Sequence, residues 1–260
     1  MMPMADSWVL GSTFGMIFCR IMAAIVSLPL LGSHYVPTRL KIALGLMLSL
    51  MVFATQGIKT TQEEGQWLSL LSALCMQIMI GLGIGFLVHA FWEIFMMLGD
   101  IVSQQSGLSF AHFIDPGSYM GTPILSQFYV LLLNLVFLNC DGHLAIIACI
   151  MESFQTIPMD FTCLLNIAVL LDSLSWIFSK ALQIAMPSIA ALWMVNMAFG
   201  IMARVAPQLN IFVIGFTLSL LAALGMVWVM LFFIDGPIDR AFFDTLMAIK
   251  TYVGRFPCER

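Results

Sequence analysis

The chain has 260 residues, of which 61% are hydrophobic and only 9% charged, against about 45–50% and about 25% in an ordinary soluble domain. Ten basic and 14 acidic residues cannot give a globule of this length a polar skin, which excludes a water-soluble enzyme and equally a disordered or fibrous chain. The net charge of −4 argues against a nucleic-acid binder, which carries a basic face or stripe, and the mean hydropathy of +1.02 makes lipid or apolar protein the solvent for most of the chain.

A transmembrane helix needs about 20 mostly apolar residues. Residues 8–31 satisfy this with Arg20 as the one interruption, and residues 42–58 barely reach the length. The start of the chain has neither a basic n-region nor a cleavage site, so the first run is expected to be retained. Residues 65–92 are uncharged and longer than a bilayer requires. Residues 117–140 form the next run, continued by 144–151 after Asp141, Gly142 and His143. Residues 161–171 are too short alone, whereas 181–203 and 205–234 are long enough, with Arg204 between them. This predicts an all-α protein of six principal apolar helices, with short elements around 158–180. No repeat of 20–50 residues and no low-complexity linker divides it.

Orientation is contradictory. Lys and Arg in short loops set it, and acids count little. The tail carries Arg240, Lys250, Arg255 and Arg260 and is assigned to the cytoplasm. Six spans would put the N-terminus there too, leaving Arg39 and Lys41 on the wrong side. Either the count is five or seven, or the helices do not span in the ordinary way.

Residues 104–123, QQSGLSFAHFIDPGSYMGTP, are the least regular segment. Gly107, Pro116, Gly117, Gly121 and Pro123 break regular structure, and Gln105, His112 and Asp115 compete for backbone groups. No Lys or Arg holds the segment at a lipid surface. It reads either as an ordinary surface loop or as a loop folded into a protein cavity or pore, where irregular backbone is tolerated. Leu108, Phe110, Phe113, Ile114 and Met120 suit an apolar plug.

Charges within or beside the apolar runs form a second group. Arg20, Glu93, Asp100, Lys180 and Arg204 each call for a partner, water or an interface. Glu93 and Asp100 are seven apart and share a helical face, which fits an interfacial helix end or, less simply, a proton relay. Arg204, followed by Pro207, Gln208 and Asn210, reads as a helix–helix corner with polar groups for a neighbour. Gly81 and Gly85 form a GxxxG pair, a pattern that lets helices approach closely. In the tail, Ile238, Phe242, Leu246, Ile249 and Val253 recur at helical spacing, predicting an amphipathic helix for the membrane interface or a partner's groove. Five of the six cysteines sit in or beside apolar runs and read as small hydrophobes. No GxSxG, Walker A, HExxH or zinc-like spacing occurs, so no catalytic, cofactor or metal site is expected.

Three separated motifs resemble one family. Gln105 to Pro116 (QSGLSFAHFIDP), Asp141-Gly-His-Leu144 and Arg204 to Phe216 (RVAPQLNIFVIGF), in this order with the earlier Arg20…Pro29…Pro37-Thr-Arg39 pattern, closely resemble the FliR family of type III secretion export-gate subunits, in its flagellar form. One departure is Thr217, where relatives carry proline after Gly-Phe. The resemblance implies an inner-membrane component of the flagellar basal body. It implies a single domain over 1–260, similar to FliP over about 1–200 and to a FliQ hairpin with its tail over about 201–260. It further implies a helical, pore-containing complex with FliP- and FliQ-like subunits, an FlhB-like protein on the cytoplasmic side, and unfolded flagellar proteins as cargo. The loop that closes the pore in that family matches 104–123, with Gln105, Gly107, Leu108, Phe110, Phe113, Ile114, Asp115, Pro116 and Gly117 as plug residues. Arg20, Glu93, Asp100, Arg204, Pro207, Gln208 and Asn210 are then expected at assembly contacts, and Phe242, Leu246, Ile249 and Val253 at a docking tail. A purely structural scaffold and a small-solute transporter remain the other classes. A transporter favours a midplane site in an inverted repeat, and no repeat is visible.

Overall fold

A computed structural model describes residues 2–33, 36–56, 67–107, 123–157, 167–205 and 211–254. All eight regular elements among them are helices: α1 (Met2–Ser27), α2 (Thr38–Gln56), α3 (Trp67–Ser106), α4 (Ile124–Asn139), α5 (Gly142–Thr156), α6 (Ile167–Val205), α7 (Ile211–Leu231) and α8 (Asp235–Gly254). The all-α expectation holds. Among the described residues, four helices are long and apolar enough to cross a membrane, and the count reaches six if the bent pairs α4/α5 and α7/α8 are each one span.

Several boundaries differ from the expected ones for one reason: charges and prolines do not stop a helix in this chain. The run at 65–92 continues through Glu93 and Asp100 to Ser106 as a helix of 40 residues. It ends where Gly107 adopts φ 78°, the left-handed conformation that terminates helices and that glycine enters without a Cβ penalty. The short elements expected around 158–180 are replaced, from Ile167 onward, by one helix of 39 residues that runs through Asp172, Lys180 and Pro187. Pro187 removes one N–H from the ladder, a loss that neighbouring groups can make good in a membrane helix. α7 runs unbroken through Thr217. The Asp-Gly-His interruption is a corner of 72° between α4 and α5. There Asp141 takes φ 52°, a region a short polar side chain tolerates, and its carbonyl accepts the first backbone bonds of α5 from Leu144 and Ala145 at 3.0 and 3.3 Å.

The chain divides into two compact units, residues 1–90 with 141–174 and 244–260, and residues 91–140 with 175–243. In the first unit, α1 packs on α2 through the edge-on contact of Phe14 with Phe53. Their connection is closed by Lys41, whose Nζ donates to the carbonyls of Gly32 and Ser33 at 2.9 Å each. Lys41 thus acts as a turn-closing donor. α3 packs on α1 along Gly81 and Gly85: a Cβ at Gly81 would overlap the Arg20 carbonyl and Ala23, and one at Gly85 would overlap Ser27. The GxxxG pair is therefore used inside the chain, against small residues of α1. The second unit is centred on an aromatic cluster in which Phe242 and Trp92 each meet both Phe91 and Phe137, with Phe95 against Phe91 at its flank.

Candidate functional site

Two sets of polar groups inside the apolar helices position what is chemically distinctive in this chain. The first surrounds Arg20 in α1, the largest fully buried side chain among the described residues, with 0% exposure. Its Nε donates to Gln77 Oε1 at 2.6 Å. One terminal nitrogen donates to the Ser153 carbonyl at 3.0 Å and to Ser153 Oγ at 3.3 Å, the other to the Ile157 carbonyl at 3.3 Å. The guanidinium lies 4.3 Å from the ring centroid of Phe154. A rigid fork of donors suits such a set. Two of the acceptors are carbonyls at the end of α5, where the helix dipole favours a cation; the Ser153 carbonyl also accepts from the Ile157 N–H at 3.0 Å. Arg20 therefore ties α1 to α3 and caps α5.

The second set lies in the other unit and brackets residues 104–123. Gly99 of α3 approaches the backbone of Ser126 so closely that a Cβ there would overlap it. One residue further on, Asp100 Oδ1 accepts from Ser126 Oγ at 2.5 Å. Further along α4, Asn134 Oδ1 accepts from Trp92 Nε1 at 2.8 Å. The helices on either side of residues 108–122 are thus clamped side by side. At the far end of α3, the Gln105 carbonyl accepts from Asn196 Nδ2 at 3.4 Å, while Asn196 Oδ1 accepts from Ser219 Oγ at 3.1 Å. This short relay connects α3, α6 and α7. Gly107 follows with its positive φ, its N–H donating to the Gln104 carbonyl at 3.3 Å. Pro123, at ψ 150°, is extended before α4 begins.

Of the expected plug residues, Gln105 and Gly107 sit at the base of this bracket. Leu108, Phe110, Phe113, Ile114, Asp115, Pro116 and Gly117 lie outside the described residues. Among the expected assembly residues, Arg20 directs its donors into its own chain, Asp100 holds Ser126, and Glu93 is half-buried on α3. Arg204 is not enclosed by its own chain but exposed in the last turn of α6, a favourable place for a cation. Pro207, Gln208 and Asn210 lie outside the described residues. The tail stripe faces inward: Phe242 packs on Phe91 and Phe137, and Ile249 and Val253 are buried with Leu246 half-buried. The helix's outward face instead presents Phe243 and Met247. Sequence reasoning missed Gln77, Ser126, Asn134, Ser153, Asn196 and Ser219. The available signal was single polar residues inside otherwise apolar helices.

Long apolar helices held together by internal polar clamps define a polytopic membrane protein. The family described as bacterial export proteins, family 1, matches residues 12–245, and the chain belongs to that family. It is 33% identical to the flagellar biosynthetic protein FliR of Pectobacterium carotovorum subsp. carotovorum, with 94% of each chain covered. It is 30% identical to FliR of Escherichia coli K12, covering 92% of this chain and 91% of that one. To FliR of Bacillus subtilis strain 168 the identity is 28%, with 91% and 93% covered. Its role lies in flagellar protein export and its place is the bacterial inner membrane. The relatives' names describe export and biosynthesis, which points away from an enzyme.

Proposed function

We propose that this chain is a non-catalytic subunit of the flagellar export gate, forming with FliP- and FliQ-like proteins the pore for unfolded flagellar subunits, and that residues 104–123 plug it. An FlhB-like protein docks on the cytoplasmic side. The observation that carries the reading is the bracket: α3 and α4 are clamped at Gly99 and Ser126, and the Asn196 relay holds the end of α3 at Gln105. A segment anchored so firmly at both ends can be displaced by cargo and return, with Gly107 as a hinge at its start. The apolar residues Phe110, Phe113 and Ile114 supply the seal, and the lack of Lys and Arg keeps the segment from being drawn to headgroups.

Deleting residues 106–120 is expected to leave the complex assembled but leaky to ions and small solutes, slowing growth on expression. Phe110→Gly or Phe113→Gly should leak less. Tight membranes with the shortened chain correctly assembled would leave it a scaffold only. The buried Arg20 network favours that second reading as a companion role, since its contacts fix helices rather than a passage.

A further inference from the structure

Two buried hydroxyls of the second unit meet at one sulfur atom. Tyr129 Oη of α4 donates to Met230 Sδ of α7 at 3.5 Å, and Ser188 Oγ of α6 donates to the same atom at 3.9 Å. Tyr129 and Ser188 are 0% and 1% exposed, and among the described residues neither hydroxyl has another hydrogen-bond partner. A thioether is a weak acceptor, and one that serves two buried donors leaves both poorly satisfied. Met230 itself is half-buried and lines a cavity of about 380 Å³ between α6, α7 and the start of α8. This is room for several molecules the size of water, each about 30 Å³ in the liquid. Met226, one helical turn earlier, lines the same cavity, but among the described residues no hydroxyl donates to its sulfur.

The geometry points to Met230 as a site of oxidation by hydrogen peroxide, with Tyr129 and Ser188 as the donors that hold the sulfoxide. The peroxide enters from the cavity, and a sulfur lone pair attacks one of its oxygens. The O–O bond breaks, that oxygen stays on sulfur, and its proton passes to the departing hydroxide, which leaves as water. Sulfur loses two electrons and the peroxide gains them. Ser188, the looser of the two donors, is placed to relay the proton. The product exchanges a weak acceptor for a polar oxygen between two donors already aimed at it. On a methionine that faces lipid, the same oxygen would be buried without a donor. Oxidation thus tightens the junction of α4, α6 and α7 within their unit, and does so whether or not residues 104–123 plug a pore.

The test uses the full chain, extracted in mild detergent with the partners it carries and treated with hydrogen peroxide for graded times. After quenching and digestion, peptide mass spectrometry reads the sulfoxide at each methionine, and fragment ions separate positions 226 and 230. Met230 should oxidise about fivefold faster than Met226, the factor that one net hydrogen bond in the transition state supplies. It should also give a single sulfoxide epimer, because the two donors fix the side on which the oxygen ends. The two methionine sulfoxide reductases each accept one epimer, so the enzyme that restores the peptide identifies it. Tyr129→Phe with Ser188→Ala should slow Met230 to the rate of Met226 and yield both epimers, whereas Ser188→Thr should keep the preference. Equal rates at the two positions in the wild-type chain, or equal amounts of the two epimers at 230, would overturn the assignment without any variant. So would a preference that survives the loss of both hydroxyls, which would make access from the cavity its only cause.

Discussion

Arg20 shows how a charge is made tolerable in an apolar helix. It is fully buried, yet its donors meet a side-chain amide, a hydroxyl and two carbonyls from α3 and the end of α5, and its flat face meets Phe154. Removing the guanidinium takes a donor from each of these acceptors, and a buried acceptor left unsatisfied costs about 1–3 kcal/mol. Arg20→Met should therefore lower the thermal midpoint of the detergent-solubilised complex and reduce its yield. Arg20→Lys should recover only part, because a single ammonium cannot reproduce a fork. Fluorescence-detected size exclusion after heating measures both, and wild-type midpoints in both variants would show the network to be dispensable. Arg204 is the opposite case: exposed at the end of α6, it offers its charge outward. If it pairs with a neighbouring subunit, Arg204→Met weakens co-purification while leaving the chain's own stability unchanged. Unaltered co-purification would mean that it only snorkels to an interface.

At the scale of an element, α8 reverses the meaning of its own amphipathic stripe. Phe242, Ile249 and Val253 are consumed by the chain's interior, and Tyr252 is seated against Gly83. A partner approaching α8 meets Phe243 and Met247 first. The two faces therefore separate by mutation. Leu246→Asp with Ile249→Asp places carboxylates in an apolar interior without partners, and should reduce the accumulation of the chain itself. Phe243→Asp with Met247→Asp should leave accumulation normal and impair motility and capture of the cytoplasmic partner. Normal motility and capture in the second variant would exclude docking on that face. α3 is likewise bilingual: its first half uses Gly81 and Gly85 to approach α1, and its second half uses Gly99 to approach α4. Helix association in lipid relies on such close approach, since lipid tails are as apolar as the side chains they would replace.

For the molecule as a whole, large apolar side chains remain exposed along most helices, among them Met47, Trp193, Val205 and Trp228. Lipid and, in the proposed complex, partner subunits are the two covers such a surface calls for. Expressed alone, the chain should aggregate or migrate heterogeneously in detergent. Co-expressed with FliP- and FliQ-like proteins, it should elute with them as a single species. A monodisperse monomer that stays folded without them would contradict obligate assembly. The conflict in the distribution of basic loop residues also belongs to this scale. Among the described residues, four helices satisfy the length and composition of a span by themselves, and the other candidates are pairs bent by 72° and 68°. Four crossings and six are both even and keep the conflict, so an odd count requires one bent pair to cross and the other to turn back.

Composition alone determined the class, because a chain with so few charges has no means of covering itself against water. Apolar run length determined where most helices lie, and three motifs in order determined the family. Helix ends were legible only in part. Gly107 ends α3 through a backbone conformation that its residue type permits, but Asp172, Lys180 and Pro187 interrupt a hydrophobic pattern without interrupting a helix. What only the tertiary structure decided is which polar residue meets which. The separation of Arg20 from Ser153 by 133 positions carries no periodic signal, and neither does the chain of Ser219, Asn196 and Gln105. The same holds for the direction of an amphipathic face. Spacing shows that α8 has an apolar stripe, while only packing shows that the stripe is filled from within, because an apolar surface records a demand for cover and not the identity of what supplies it.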